Sequence, residues 1–381
     1  MSDILEIILK KVDLSIERMG THANEYPQII SGNYFDGNAR ELRHIYSWTQ
    51  GFWTGLAGLA YALSGENKYL KWLNSLYEEF YDKVHKYKID TMHDLGFLYS
   101  PYAVMLYKMT GDTKMRELGI AAADCLAMRY VPNGGYIKAW NRMDGVVPDY
   151  VDSELAKDCF FSESDGVMII DCMMNLPLLF WASEVSGHPF YEDIAKEHIK
   201  TATKYLIRED YSVIHAYRFD TKTGEALCAE NFCGYGVDTY WARGAAWMIY
   251  GLAIAYKYTY NEEYLDLFEK LTQKFVSSCR DDKMPVWDFK LPEDKLPQID
   301  TSAASIVSCA IHLYEKYRKN SVFSQYATQA IQMLKDKFFN NDENVVGLIS
   351  ECDGISSYSR FGDYYFLEAM AVAEMNFEIF W

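Results

Sequence analysis

One short phrase recurs along this chain and limits what it can fold into. Leu63–Leu70 reads LSGENKYL, Met109–Met115 reads MTGDTKM, and Val185–Tyr191 reads VSGHPFY. Tyr260–Leu265 (YNEEYL) and Lys319–Phe323 (KNSVF) are degenerate copies. Each is a short polar turn between two stretches of helical periodicity. The Gly that most copies carry suits the left-handed residue that ends one helix, and the Asp, Asn or Glu that follows suits the start of the next. The copies stand roughly 45–75 residues apart, the spacing of helical hairpins joined by longer loops.

Counting outward from these turns predicts helices over about 3–19, 50–64, 67–84, 95–110, 113–130, 170–186, 190–208, 241–259, 262–280, 302–318, 321–338 and 363–379. Tyr211–Phe219 and Val345–Ser350 read as short hairpin pieces. Twelve helices in six hairpins point to an all-α toroid of inner and outer helices, an (α/α)6 barrel spanning 1–381 as one domain. An open α-solenoid is the alternative. The last helix carries Phe366, Leu367, Met370 and Ala371 and is apolar over most of its surface. That suits it to closing a ring against the first helices.

Composition narrows the function. Half of the residues are hydrophobic, enough for a large core, and the net charge is −17. Such an acidic chain lacks the basic face that nucleic acid or an anionic membrane needs. The N-terminal stretch is interrupted by Asp3, Glu6, Lys10, Lys11 and Asp13 and reads as an amphipathic helix rather than a secretion signal. No apolar run approaches the ~20 residues of a membrane span. The eight Cys form no CxxC pair, so zinc is not expected, and no other metal or cofactor is called for. Unlinked thiols, Cys228 and Cys233 among them, suit a reducing cytoplasm.

The unusual residues fall at the starts of the even-numbered helices. Trp48-Thr49-Gln50 precedes the second, His93-Asp94 the fourth, and Asp171 opens the sixth. Trp241 and Arg243 open the eighth, Asp300-Thr301-Ser302 the tenth and Asp363-Tyr364 the twelfth. In a ring of hairpins those ends share one face. Six helix N-termini there lend positive partial charge, which would let an acidic protein hold a small anion. Asp171 lies in Gly166–Ala182, GVMIIDCMMNLPLLFWA, and so apolar a setting makes a carboxylate costly unless it is paired, neutral or needed.

Each candidate has a plainer role. Asp171 and Asp94 could be helix caps, as Asp300 and Asp363 are expected to be. Two carboxylates across one pocket would instead push their pKa values apart and leave one protonated as an acid. His93 could be packing, and His215, in a strand-like segment, structural. Trp48, Trp53, Trp140, Trp241 and Trp247 divide between core packing and stacking on a sugar face. Arg243 could pair with an internal Glu or clamp a substrate carboxylate.

The segments YSWTQGFWTG, MHDLGFLYSPYAVMLYKMTGD, IIDCMMNLPLLFWASEVSG, TYWARGAAWMIYGLA and GDYYFLEAM together resemble the unsaturated glucuronyl hydrolases, glycoside hydrolase family 88. They run in order from Tyr46 to Met370 and so cover nearly the whole chain. The resemblance implies an (α/α)6 barrel that removes 4,5-unsaturated glucuronic acid from the non-reducing end of oligosaccharides left by polysaccharide lyases. It implies Asp171 as catalytic acid and base, and Asp94 as the second essential carboxylate. Trp48, His93, Trp140, His215, Cys233, Trp241, Arg243 and Trp247 take substrate-contacting positions. A rhamnogalacturonyl-type hydrolase acting on pectin fragments is the nearest alternative, and a non-catalytic sugar-binding protein is one of another class.

The chain departs from the family pattern in places. Cys233 and Ala245 stand where Gln is usual, which removes two amides from the site. The segment 144–165 is long and acidic, a candidate lid or subunit contact, and a homodimer is the expected assembly. The segment 351–361 lacks the Ser and Lys cluster of sulfate-accepting relatives. Weaker dependence on sulfated glycosaminoglycan fragments is therefore expected.

Overall fold

The computed structural model describes residues 3–20, 42–44, 47–141, 164–295, 298–352, 357–375 and 377–381. Most of the segment 144–165 lies outside them. Among the described residues the chain forms α1 (Asp3–Met19), α2 (Gln50–Ser64) and a two-piece α3 (Asn67–Ser75 and Tyr77–His85). Next come α4 (Leu95–Tyr99, a π turn Ser100–Val104, then Met105–Thr110), α5 (Thr113–Ala127), α6 (Leu176–Ser186) and α7 (Pro189–Leu206). The last are α8 (Ala242–Thr259), α9 (Glu262–Ser278), α10 (Thr301–Tyr314), α11 (Ser321–Met333 continued by a π turn Leu334–Phe338) and α12 (Arg360–Met375).

The even-numbered helices form the inner wall. Each packs on the next, and α12 packs back on α2, so the ring closes and the solenoid alternative falls. The odd-numbered helices stand outside, each against its hairpin partner. Burial follows the two roles. Every residue of α10 from Thr301 to Ile311 is buried, whereas α9 buries one stripe: Leu265, Phe268, Leu271, Thr272 and Phe275.

The recurring phrase is the joint of each hairpin. Gly65, Gly111 and Gly187 take φ of 71°, 72° and 72°, and each N–H closes the preceding helix. The residue before each Gly is Ser64, Thr110 or Ser186. Its hydroxyl donates back to the carbonyl four residues earlier and accepts the N–H two residues on. Thr259 repeats this at the degenerate fourth copy, where Tyr260 takes the left-handed position at φ 52°. All these tight turns lie where inner helices end. The long loops therefore gather at the opposite face, where inner helices begin.

Among the described residues those loops carry five short strands: β1 (Tyr130–Val131), β2 (Tyr136–Ile137), β3 (Val167–Ile169), β4 (Ala216–Phe219) and β5 (Ala226–Glu230). β1 and β2 pair, and β3, β4 and β5 form an antiparallel sheet in that order. The expected strand over Tyr211–Phe219 narrows to β4. Val345–Ser350 makes only isolated bridges, Ile349 to Phe339 and Ser350 to Tyr358. Asp363 is not the cap it was expected to be. α12 starts at Arg360, and the buried Asp363 carboxylate accepts the Ile349 N–H at 2.9 Å.

The inner helices approach closely at glycines. A Cβ on Gly96 would stand 2.3 Å from Asn175 Cα, and one on Gly51 would stand 2.0 Å from the Phe97 carbonyl oxygen. Gly96→Ala must push α4 off the start of α6. Its expected cost is about 1–3 kcal/mol, seen as a lower midpoint in thermal unfolding. An unchanged midpoint would contradict this packing.

Candidate active site

Asp94 occupies the residue before α4, yet its side chain makes no capping hydrogen bond. Asp171 lies in a tight turn, Ile170–Met174, between β3 and α6, and the residue preceding α6 is Asn175. Neither aspartate is a cap. Asn175 joins their two elements: its Oδ1 accepts the Phe97 N–H at 2.9 Å, and its amide donates to the Asp171 carbonyl at 3.3 Å. The same side chain also lies against the Asp94 carboxylate.

The small sheet supplies the next group. β3 ends two residues before Asp171, and β4 begins one residue after His215; their register places Ile169 opposite Ala216. The Ile170 N–H donates to the His215 carbonyl at 3.0 Å. His215 Nδ1 accepts the N–H groups of Phe232 (2.9 Å) and Cys233 (3.2 Å), so its proton resides on Nε2. Nε2 faces Asp171 Oδ2 at 3.7 Å. His93 mirrors this arrangement, with Nε2 3.4 Å from Asp94 Oδ1.

Burial sets the protonation pattern. It raises the Asp94 pKa to about 8, and the neighbouring Asp171 adds to the shift. It raises Asp171 to about 6 against the pull of Arg243. His215 falls to about 3, again through burial first and then Arg243. The larger carboxyl shift thus belongs to Asp94, the reverse of what an Asp171 held protonated by its partner would require. Asp171 Oδ2 and the Trp247 indole N–H both lack a partner of full hydrogen-bond geometry, although that N–H is near enough to lower the Asp171 pKa.

Two cations lie beneath Asp94. Arg129 is buried and donates to the carbonyls of Thr91 (2.9 Å), Lys138 (3.0 Å) and Ala139 (3.1 Å) and to Asn141 Oδ1 (3.1 Å). Lys83, also buried, donates to the carbonyls of His44 and Asp90. Both favour the ionised form of Asp94. Nothing in the sequence marked them. Arg129 reads as an ordinary cation at a helix end, and Lys83 as a solvated face.

Arg243 pairs with an Asp rather than an internal Glu. Its guanidinium meets Asp300 Oδ2 at 3.0 Å and lies between the rings of Trp241 (4.8 Å) and Phe361 (5.0 Å). Asp300 is the expected cap: Oδ1 accepts from the Ala303 N–H (3.0 Å) and the Ser302 hydroxyl (2.6 Å). With its other oxygen it also aims Arg243. The pair faces a cavity of about 470 Å³ whose wall includes Cys233, Trp287, Gln298 and Glu351. Cys233 reaches the solvent in this cavity, but burial pushes its thiol up to about 12, then Asp171 adds to the shift, so it remains protonated.

The tryptophans separate by exposure. Trp53 and Trp247 are fully enclosed, so Trp247, expected at the substrate, offers no ring face and only its N–H below Asp171. Trp241 is buried between His215 (4.8 Å) and Arg243. Trp48 is half-buried and stacks on Phe361 at 5.4 Å, and Trp140 meets Phe232 edge-on at 5.1 Å. Asn175, Arg129, Trp287, Glu351 and Phe361 belong to the site without having been singled out for it. Asn175 carried a signal in its Asn-Leu-Pro context at a helix start. The other four come together only through the fold.

Residues 24–375 match the family described as Glycosyl Hydrolase Family 88. The chain is 30% identical to the unsaturated chondroitin disaccharide hydrolase of Streptococcus agalactiae serotype III, over 100% of this chain and 93% of that protein. It superposes on the unsaturated glucuronyl hydrolase of Bacillus sp. GL1 with a TM-score of 0.84 and 28% identity, covering 98% and 96% of the two chains. An Asp-to-Asn variant of the Streptococcus agalactiae unsaturated glucuronyl hydrolase complexed with dGlcA-GalNAc6S superposes with a TM-score of 0.78 and 27% identity, covering 100% and 92%.

The raised pKa of Asp94 has a consequence for stability. Between its ordinary 3.8 and about 8 the folded protein keeps a proton that the unfolded chain has released. Stability therefore falls as pH rises through that window. Asp94→Asn removes the loss. Its denaturation midpoint should match the native protein near the bottom of the window and exceed it near the top, by ~5 kcal/mol in unfolding free energy. A difference that does not grow with pH would contradict the shift.

Proposed function

The chain belongs to Glycosyl Hydrolase Family 88, and from that premise we propose that it hydrates the 4,5 double bond of an unsaturated glucuronyl disaccharide of the glycosaminoglycan type. The observation that carries this reading is the pair Asp171 and Arg243: a buried carboxyl group of raised pKa beside a guanidinium held in place by Asp300. An unsaturated uronide offers a carboxylate for the guanidinium and an enol ether for the acid.

In the free site Arg243 favours the ionised form of Asp171. A substrate carboxylate on Arg243 cancels that charge and places a negative one beside Asp171. Substrate binding thus protonates the group that must donate. Asp171 then gives its proton to C4. Positive charge develops at C5 and the ring oxygen. The ionised Asp171 takes a proton from the water that adds at C5. The hemiketal opens to a ketone, and the exposed C1 hemiacetal releases the second sugar. Asp94, neutral through burial, holds the pyranose hydroxyls, and the His215 Nε2–H keeps Asp171 in register. Because water adds to a double bond, the carboxylate-separation rule for direct displacement does not apply.

The second sugar meets Trp287, Gln298 and Glu351. Among the described residues lining that cavity Arg243 is the only cation, and it already pairs with Asp300. This supports a preference for unsulfated fragments. Residues 1–381 act as one domain. Among the described residues no helix is long and apolar enough to cross a membrane, and the cysteines Cys125, Cys172, Cys228, Cys233, Cys279, Cys309 and Cys352 are free thiols. Those thiols support a cytoplasmic setting. The exposed Leu227, Phe232, Tyr235 and Val237 beside the site support a homodimer.

Ultraviolet absorbance of the conjugated uronate tests the reading. The native protein should bleach an unsulfated unsaturated chondroitin disaccharide, with higher kcat/KM than for the sulfated one. Asp171→Asn should lose about 10²–10⁴-fold in kcat while still binding. A flat trace with the native protein, or unchanged turnover in Asp171→Asn, would sink it.

A further inference from the structure

The end of the ring opposite the carboxylates holds a second cavity of about 560 Å³, larger than the one at Arg243. It opens where α4, α6 and α8 finish, on the side of the tight turns. From Arg243 to Lys257 along α8 the distance is about 21 Å at 1.5 Å per residue, so the two cavities are separate.

Two lysines line it. Lys108 Nζ donates to the Phe380 carbonyl at 2.7 Å, and Lys257 Nζ to Trp381 O at 2.8 Å. The carboxyl ends of three helices meet here, and their partial negative charge draws both ammonium groups inward. An ammonium group carries three donors, and one of each is engaged in these bonds. Lys108 is walled by protein yet open to solvent, as the lining of a cavity must be, and burial lowers its pKa to about 7. The hydroxyl of Tyr258, in the same wall, is buried without a hydrogen-bond partner.

The mouth is aromatic, and one residue there has a strained backbone. At three equivalent turns the left-handed residue is glycine, Gly65, Gly111 and Gly187, but at the fourth it is Tyr260. A side chain in that conformation is disfavoured. The Tyr260 ring is 67% exposed and stands at 90° to the partly exposed Tyr317, with centroids 6.4 Å apart. Glu184 and Glu378 also line the cavity and act on both lysines.

Open tyrosine faces beside ammonium donors and an unused hydroxyl suit a sugar acid. A pyranose lays its C–H face on an aromatic ring, a carboxylate meets the ammonium groups, and the remaining hydroxyls meet the two glutamates. We infer that this cavity is a second saccharide site, which binds a hexuronate as a ligand and not as a substrate. The Lys257 ammonium group, joined by Lys108 once it is protonated beside the bound anion, holds its carboxylate, and the Tyr260 and Tyr317 rings cradle its apolar face.

Calorimetric titration of the full chain with D-glucuronate tests the site, with D-glucose as the uncharged control. Lys257→Gln should weaken glucuronate binding at least tenfold, as should Tyr317→Ser, which removes an exposed ring and leaves the lysine anchors intact. Both should keep native turnover of the unsaturated disaccharide, and Arg243→Met should retain glucuronate binding. The proposal is overturned if the two cavity variants titrate like the native protein, or if glucose binds as tightly as glucuronate. It also fails if the native protein shows no glucuronate binding, or if Arg243→Met abolishes all of it.

Discussion

The contact between Gly96 and Asn175 is where the packing of this ring becomes its chemistry. The absent side chain at Gly96 lets α4 and α6 start within backbone contact of each other. The Asn175 amide then ties the two starts together, accepting from Phe97 and donating to Asp171. Because those starts carry Asp94 and Asp171, the approach that closes the barrel also brings two carboxyl groups into one dry pocket. A wider ring would separate them and admit water, and each would return toward the usual carboxylate range.

An acidic protein that handles an anion needs positive charge that its own carboxylates do not cancel. Here the solution is local. Arg243 is stacked between two rings, and Asp300 divides its oxygens between a helix cap and that guanidinium. Asp300 therefore aims Arg243 while its other oxygen is occupied elsewhere. Among the described residues Arg129 is bound through neutral oxygens, three carbonyls and an amide, and its charge acts on Asp94. The net charge of −17 resides elsewhere and says little about this face.

The helical frame was legible because its joints have a local chemistry. A Ser or Thr followed by Gly stops three of the inner helices through bonds within a few residues, and the degenerate Tyr260 copy kept the Thr. Asp94 and Asp171 were legible because a carboxylate in an apolar run has no cheap explanation. β3 was not: Val167–Ile169 runs into the apolar stretch before α6 without a turn signal, and its partner β4 starts more than forty residues on. The break in α3 at Leu76 follows Asn74-Ser75, a weak helix pair that the surrounding periodicity concealed. Trp247 was misplaced for a related reason. Its neighbours on α8 suggest a substrate-facing end, but only the ring shows that Phe97 and Tyr365 enclose it. Arg129, Glu351 and Phe361 lie far from Asp171 in sequence, and no spacing rule connects them.

In the proposed mechanism the bound uronate switches Asp171 into its acid form by neutralising Arg243. The pH dependence of kcat and of kcat/KM for an unsulfated unsaturated disaccharide tests it most directly, since the first reports the enzyme–substrate complex and the second the free enzyme. A descending limb is expected near pH 6 in kcat/KM, set by the free Asp171, and at distinctly higher pH in kcat. Coincident limbs, or a kcat limb at lower pH, would contradict it.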